Sequence, residues 1–144
     1  MAQQDYLLRM IETVGMILVR LRKLILGQEI DPAEAERQIF AAADQAGLDL
    51  HFLCSVHEET LLMLMSPAGE VEPGRCWITA ELLMVDGLRC LAEDDRMGAL
   101  ARLNRALMLY GLIDPDAVVA RGFPEVRERI AEVEALVPEA PPGM

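Results

Sequence analysis

Residues 51–58, HFLCSVHE, hold the densest set of metal-capable side chains in the chain: His51, Cys54, His57 and Glu58. On a helix, His51, Cys54 and Glu58 recur at steps of three and four. They then share a face, the arrangement that lets imidazole, thiolate and carboxylate converge on zinc. Such a site needs a further ligand, and no CxxC or HExxH motif supplies it. A free cysteine otherwise packs as a small hydrophobe. The expectation is a buried Cys54 beside two partly exposed histidines, with no metal and no cofactor. These four residues are the candidates for any ligand role.

Asp86 is the second place where chemistry is conceivable, because a lone carboxylate in the apolar run LLMVDGLRCL can be buried with a raised pKa. Arg89 follows at i+3 and Glu93 at i+7, a spacing that predicts a solvated charged face instead. The sequence carries no GxSxG, Walker or Rossmann pattern, and its two serines, Ser55 and Ser66, stand in no suggestive setting. Nine methionines are spread through the expected helices and read as flexible packing. No catalytic residue is expected.

The elements that must position these residues are helices. Hydrophobic residues make up 53% of the 144, but aromatics only 4%. A core of Leu, Ile, Val, Met and Ala suits helix-on-helix packing better than a sheet. Size scaling allows burial of roughly 68% of the unfolded surface, and the length fits one domain. We expect that domain over residues 1–137, with a disordered tail over 138–144. Net charge is −11, so a polyanion would be repelled, and neither nucleic acid nor an anionic membrane is expected as a partner. Three irregularly spaced cysteines imply no disulfide framework. The N-terminal segment MAQQDYLLRMIE carries Asp5, Arg9 and Glu12 where a signal peptide would be apolar. The apolar segment from Val14 to Leu26 contains Arg20, Arg22 and Lys23 and is too short to span a bilayer. The expected location is the cytoplasm.

The first helix shows a seam at Leu7, Ile11, Val14, Leu18, Leu21 and Ile25, stepping by four and three. Two flanking apolar series leave only a narrow polar strip, so this helix needs cover over most of its circumference. A second helix starts at Asp31–Pro32 and ends at Gly47. A third is expected from near Leu50 to Met65, a fourth following Thr79 as its cap and running to about Ala92, a fifth over Arg96 to Tyr110, and a last one over Glu125 to Leu136. SPAGEVEPG, residues 66–74, is the long turn-rich break, and RCWIT after it fits a short extended piece.

The span from Ala80 to Leu107 resembles a single tetratricopeptide-type helical hairpin. The match lies in Gly87, the acidic turn Asp94–Asp95, Ala99 and Ala106–Leu107. It departs where the family's large aromatic falls on Leu83, its leucine on Asp86, its second aromatic on Cys90, and its proline is displaced to Pro115. Small residues at Gly87, Ala99 and Ala106 let two antiparallel helices approach closely. The resemblance implies an all-α fold of about six helices arranged as antiparallel hairpins. It also implies an apolar groove at Met84, Leu88 and Leu91, filled by the N-terminal helix or by a partner. The opening DYLLRMIE is similar to the start of a family of small bacterial proteins of unassigned function.

These observations converge on a non-catalytic interaction module. It is expected to pair as a homodimer through the seam of its first helix, with a protein or peptide as a further possible partner. The alternative is a helical protein that binds a metal or small molecule through residues 51–58.

Overall fold

The computed structural model describes residues 2–116 and 125–137, so the tail expected over 138–144 lies outside the described residues. Among the described residues the protein is all-α. It has seven helices and no strand: α1 (Ala2–Leu26), α2 (Pro32–Gln45), α3 (Leu50–Ser55), α4 (Glu58–Leu64), α5 (Pro73–Ala92), α6 (Arg96–Leu112) and α7 (Val126–Leu136).

Start signals explain most boundaries. Pro32 opens α2, where its missing N–H costs nothing. Asp49 caps α3 by accepting from the Phe52 N–H, and Asp95 caps α6 by accepting from the Gly98 N–H at 3.0 Å. Gly47 follows α2 with φ +71°, a left-handed conformation that a residue with a Cβ adopts only at a cost. The helix expected from Leu50 to Met65 is two helices instead. Val56 and His57 adopt non-helical ψ values of 152° and 143°, and Glu58 and Glu59 then open α4 at the end where helices favour acidic residues.

The extended piece expected at RCWIT is also helical. Glu72 caps α5 by accepting from the Gly74 and Arg75 N–H groups, and Pro73 occupies the first turn. Thr79, taken from sequence as a cap, lies inside this helix and returns its hydroxyl to the Arg75 carbonyl at 2.7 Å.

Helix α5 is the centre of the molecule. Gly74 and every residue from Cys76 to Cys90 are buried, as a helix that is apolar around its circumference requires. Helix α6 packs against it antiparallel. Gly87 of α5 faces Leu103 and the Ala99 carbonyl of α6, and a Cβ at Gly87 would stand 2.9 Å from Leu103 Cγ. Helix α1 runs alongside α5 in the same direction. Ile11 sits over Gly74 near the start of α5, and Ile25 borders Arg89 and Ala92 near its end. The α1–α5 pair is therefore parallel, unlike the antiparallel α5–α6 hairpin. Helices α2 and α3 also contact α5, and α7 packs on α6.

This arrangement corrects one expectation and decides between the two alternatives of another. The seam proposed for a second copy lies inside the chain: Ile11, Val14, Leu18, Leu21 and Ile25 are buried and Leu7 is partly buried against the same core. The seam spacing was read correctly and its cover was not, because one stripe fits a neighbouring helix of the same chain as well as a copy. The groove is likewise filled from within. Met84 and Leu88 are buried and Leu91 is half-buried.

Ala99 and Ala106 are fully buried at the α5–α6 contact, whereas Ala101 faces solvent. Ala99→Leu and Ala106→Leu are each expected to lower stability by about 1–3 kcal/mol through overpacking. Ala101→Leu should leave it nearly unchanged, and chemical denaturation of the three variants checks the contrast.

Candidate functional site

Two ion networks enter the core from α5, and both begin at a carboxylate in an apolar stretch. The first is centred on Glu81, whose side chain is 1% exposed. Arg129 of α7 reaches it with two parallel hydrogen bonds, Nε to Oε2 at 2.9 Å and Nη2 to Oε1 at 3.1 Å, the bidentate geometry that suits a guanidinium. The Tyr110 hydroxyl of α6 donates to the same Oε2. Arg129 Nη1 continues to Glu132 Oε2 at 2.7 Å, and Glu132 Oε1 accepts from Arg22 Nε of α1 at 2.6 Å. One buried carboxylate thus ties together α1, α5, α6 and α7.

Burial pushes the Glu81 carboxyl above its usual range, with Arg129 and the Tyr110 hydrogen bond pulling the other way. Burial likewise raises the Tyr110 phenol well above its ordinary value, helped by the charge of Glu81. Arg129 also rises: burial disfavours its charge, but the neighbouring Glu81 outweighs that.

The second network is centred on Asp86, which is buried to 1% exposure. Its Oδ1 accepts from Arg89 Nε at 2.7 Å and its Oδ2 from Arg102 Nε of α6. Arg89 Nη1 goes on to Glu93 at 2.9 Å and to Glu36 of α2 at 3.1 Å. The solvated face expected for Asp86, Arg89 and Glu93 is thus corrected: only Glu93 is exposed. Burial opposes the charge on Arg89 and Arg102, yet the bonds to Asp86 raise both pKa values. Every buried side-chain nitrogen and oxygen among the described residues has a hydrogen-bond partner. Both networks are closed internally, which is how buried charge is tolerated.

The candidates at residues 51–58 are not brought together. The break at Val56–His57 puts His51 and Cys54 on α3 and Glu58 on α4, so the shared helical face does not exist. His51, His57 and Glu58 are exposed and Cys54 is half-buried. Among the described residues, no three His, Cys, Asp or Glu side chains cluster as a metal site. Burial raises the thiols of Cys54 and Cys90, and it pushes Cys76, whose Sγ donates to the Leu109 carbonyl at 3.1 Å, up to about 12. These are poor thiolates and poor nucleophiles at neutral pH.

Reading the sequence missed Glu81, Arg129 and Tyr110 as partners. The available signal was one carboxylate inside WITAELLMV, which asks for a cation from elsewhere. Nothing in the sequence says that a residue 48 positions later supplies it.

The surface carries open depressions. One of about 600 Å³ lies where α2 ends and α3 begins, and another of about 260 Å³ lies between the α1–α2 turn and the end of α5. The chain matches no family model, no curated protein and no solved structure. No described helix is long and apolar enough to cross a membrane.

Removing one partner of a buried pair strands the other charge, so Arg129→Met is expected to destabilise by about 3–5 kcal/mol at neutral pH. The folded Glu81 carboxyl lies above its ordinary value, and without Arg129 it lies higher still. The folded variant therefore keeps the proton to higher pH than the unfolded chain does, and loses stability as pH rises through and above the ordinary carboxylate range. Urea unfolding of variant and wild type should show a larger gap at pH 8 than at pH 5. An equal gap at both would mean that Glu81 does not carry the effect.

Proposed function

We propose that this chain is a non-catalytic helical interaction module that binds another protein or a peptide. The contrast between inside and outside carries the proposal. Glu81, Tyr110 and Asp86, groups able to move protons, are buried and saturated by internal partners. Large apolar side chains stand in solvent instead: Met63 is 74% exposed, Tyr6 73%, Met16 68% and Phe40 40%. Aromatic residues and methionine are the types enriched in the cores of interfaces, and methionine adapts to varied partners.

The three free thiols of Cys54, Cys76 and Cys90 fit a reducing compartment, for which the cytoplasm is our reading. With its seam buried, what α1 still offers to a second copy is its exposed Tyr6, Leu8 and Met16.

The test is complementation in source cells lacking the gene, with Tyr6→Glu, Met16→Glu and Phe40→Glu combined in one chain. The sites are exposed, so its melting temperature should stay within a few degrees of wild type. We expect the folded variant to fail to complement and to lose a partner that the wild type retains on affinity purification. Full complementation by the triple variant would overturn the reading.

A further inference from the structure

The end of α2 carries a carboxylate where a cation would be favoured. A helix C-terminus carries partial negative charge on its free carbonyls and favours a nearby cation. The last turn of α2 contains no basic residue and carries Asp44 instead. Asp49 follows just beyond Gly47, using Oδ1 to cap α3. Both aspartates are exposed, and among the described residues neither makes an ion pair. The other charges on this side of α2 are neutralised at home: Glu34 pairs with Arg37, and Glu36 with Arg89. Asp44 and the end of α2 thus project negative potential, and Asp49, partly offset by the N-terminus of α3 that it caps, adds to it.

Beneath them lies apolar surface. The depression of about 600 Å³ is floored by the buried Leu50 and half-buried Leu48, walled by Phe40 and Ala41, and edged by Asp44 and Asp49. Phe40 also borders a second depression toward the start of α2, alongside Ala33 and Arg37. It therefore forms a ridge partway along an exposed strip of this helix. An exposed phenyl ring beside two carboxylates suits a side chain that is apolar along its stem and cationic at its tip, since arginine and lysine stack on aromatic faces.

We infer that this groove at the α2–α3 junction docks a basic amphipathic segment of a partner protein, with an aliphatic side chain against Phe40 and Leu48 and an arginine or lysine between Asp44 and Asp49. The inference rests on the interaction reading above and assigns it a surface and a partner chemistry. Complementary charge sets the choice of partner: the chain carries −11 overall, so an acidic segment is repelled before contact while a basic one is attracted.

The experiment is selection of 16-residue peptides from a random library on the wild-type protein, with prior depletion on a Phe40→Ala, Asp44→Asn variant. Enriched peptides are expected to hold Arg or Lys three or four residues from Leu, Ile or Met. Their amide chemical-shift changes on the labelled protein should centre on residues 40–50. Asp49→Asn keeps an N-capping side chain, so its expected loss of affinity, about tenfold, reports charge and not folding. Met97→Ala, at an exposed site on α6, should change nothing.

Enrichment of acidic or uncharged peptides, or no enrichment, would overturn the proposal. So would a wild-type dimer that Phe40→Ala dissolves, which would make the occupant a second copy. Basic peptides that map to Tyr6 and Met16 would sink this surface while leaving the interaction reading intact. Full complementation by the triple surface variant, in contrast, would remove that reading itself.

Discussion

A helix whose residues 76–90 are all buried must be met by other elements around its whole circumference, and in a chain of 144 residues few elements exist to do so. Helix α1 lies along one side with five seam residues buried. Helix α6 covers another side, close enough that Gly87 has no room for a Cβ without moving Leu103. Helices α2 and α3 close a third. The direction in which Glu81 points is closed by Arg129 from α7. The order of the chain around α5 follows from covering it.

The two carboxylates on α5 then determine how those covers are set. An apolar contact tolerates sliding by a fraction of a turn, whereas a bidentate arginine pair does not. Tyr110 meets Glu81 and Arg102 meets Asp86, so α6 is pinned to α5 at two heights in antiparallel register. Glu36 joins α2 to the Asp86 network through Arg89, and Arg22 joins α1 to the Glu81 network through Glu132. Apolar side chains of equal volume would be expected to hold the fold at least as tightly. What the ion pairs add is discrimination against misaligned packings, because each slipped register strands a buried charge.

The fold was legible in the sequence where a rule is local and was missed where the rule is tertiary. The steps of Leu7 through Ile25 marked the buried stripe of α1, and Asp31–Pro32 and Asp94–Asp95 marked helix boundaries, because capping and periodicity act within a few residues. Cover is not local, so the same stripe was assigned to a copy of the chain. The acidic cap Glu72 was overlooked in front of RCWIT since it falls outside the usual Ser, Thr, Asp and Asn set. The spacing of Asp86, Arg89 and Glu93 fits a solvated face and a buried pair equally well, and only Arg102 and Glu36, brought by other helices, decide between them. The face of His51, Cys54 and Glu58 depended on one continuous helix, and two non-helical residues at 56 and 57 were enough to dissolve it.

Local opening is set by the same distribution of contacts. Helix α7 has 11 residues and buries Val126, Arg129 and Val133, against 16 buried residues on α5. Its attachment therefore leans on one buried ion pair far more than the attachment of α6 does. Local openings of a native protein draw on the elements with the fewest buried apolar contacts, so α4, which buries only Leu61, and α7 open before the α5–α6 pair. Detaching α7 strands Glu81 and frees one anchor of Arg22, so opening at the C-terminal helix is felt at α1 through Glu132. The depression beside Asp44 lies outside this chain of contacts: among the described residues, neither Asp44 nor Asp49 is bonded to either network. A ligand bound there would act on α2 and α3 without paying the desolvation cost that guards the core.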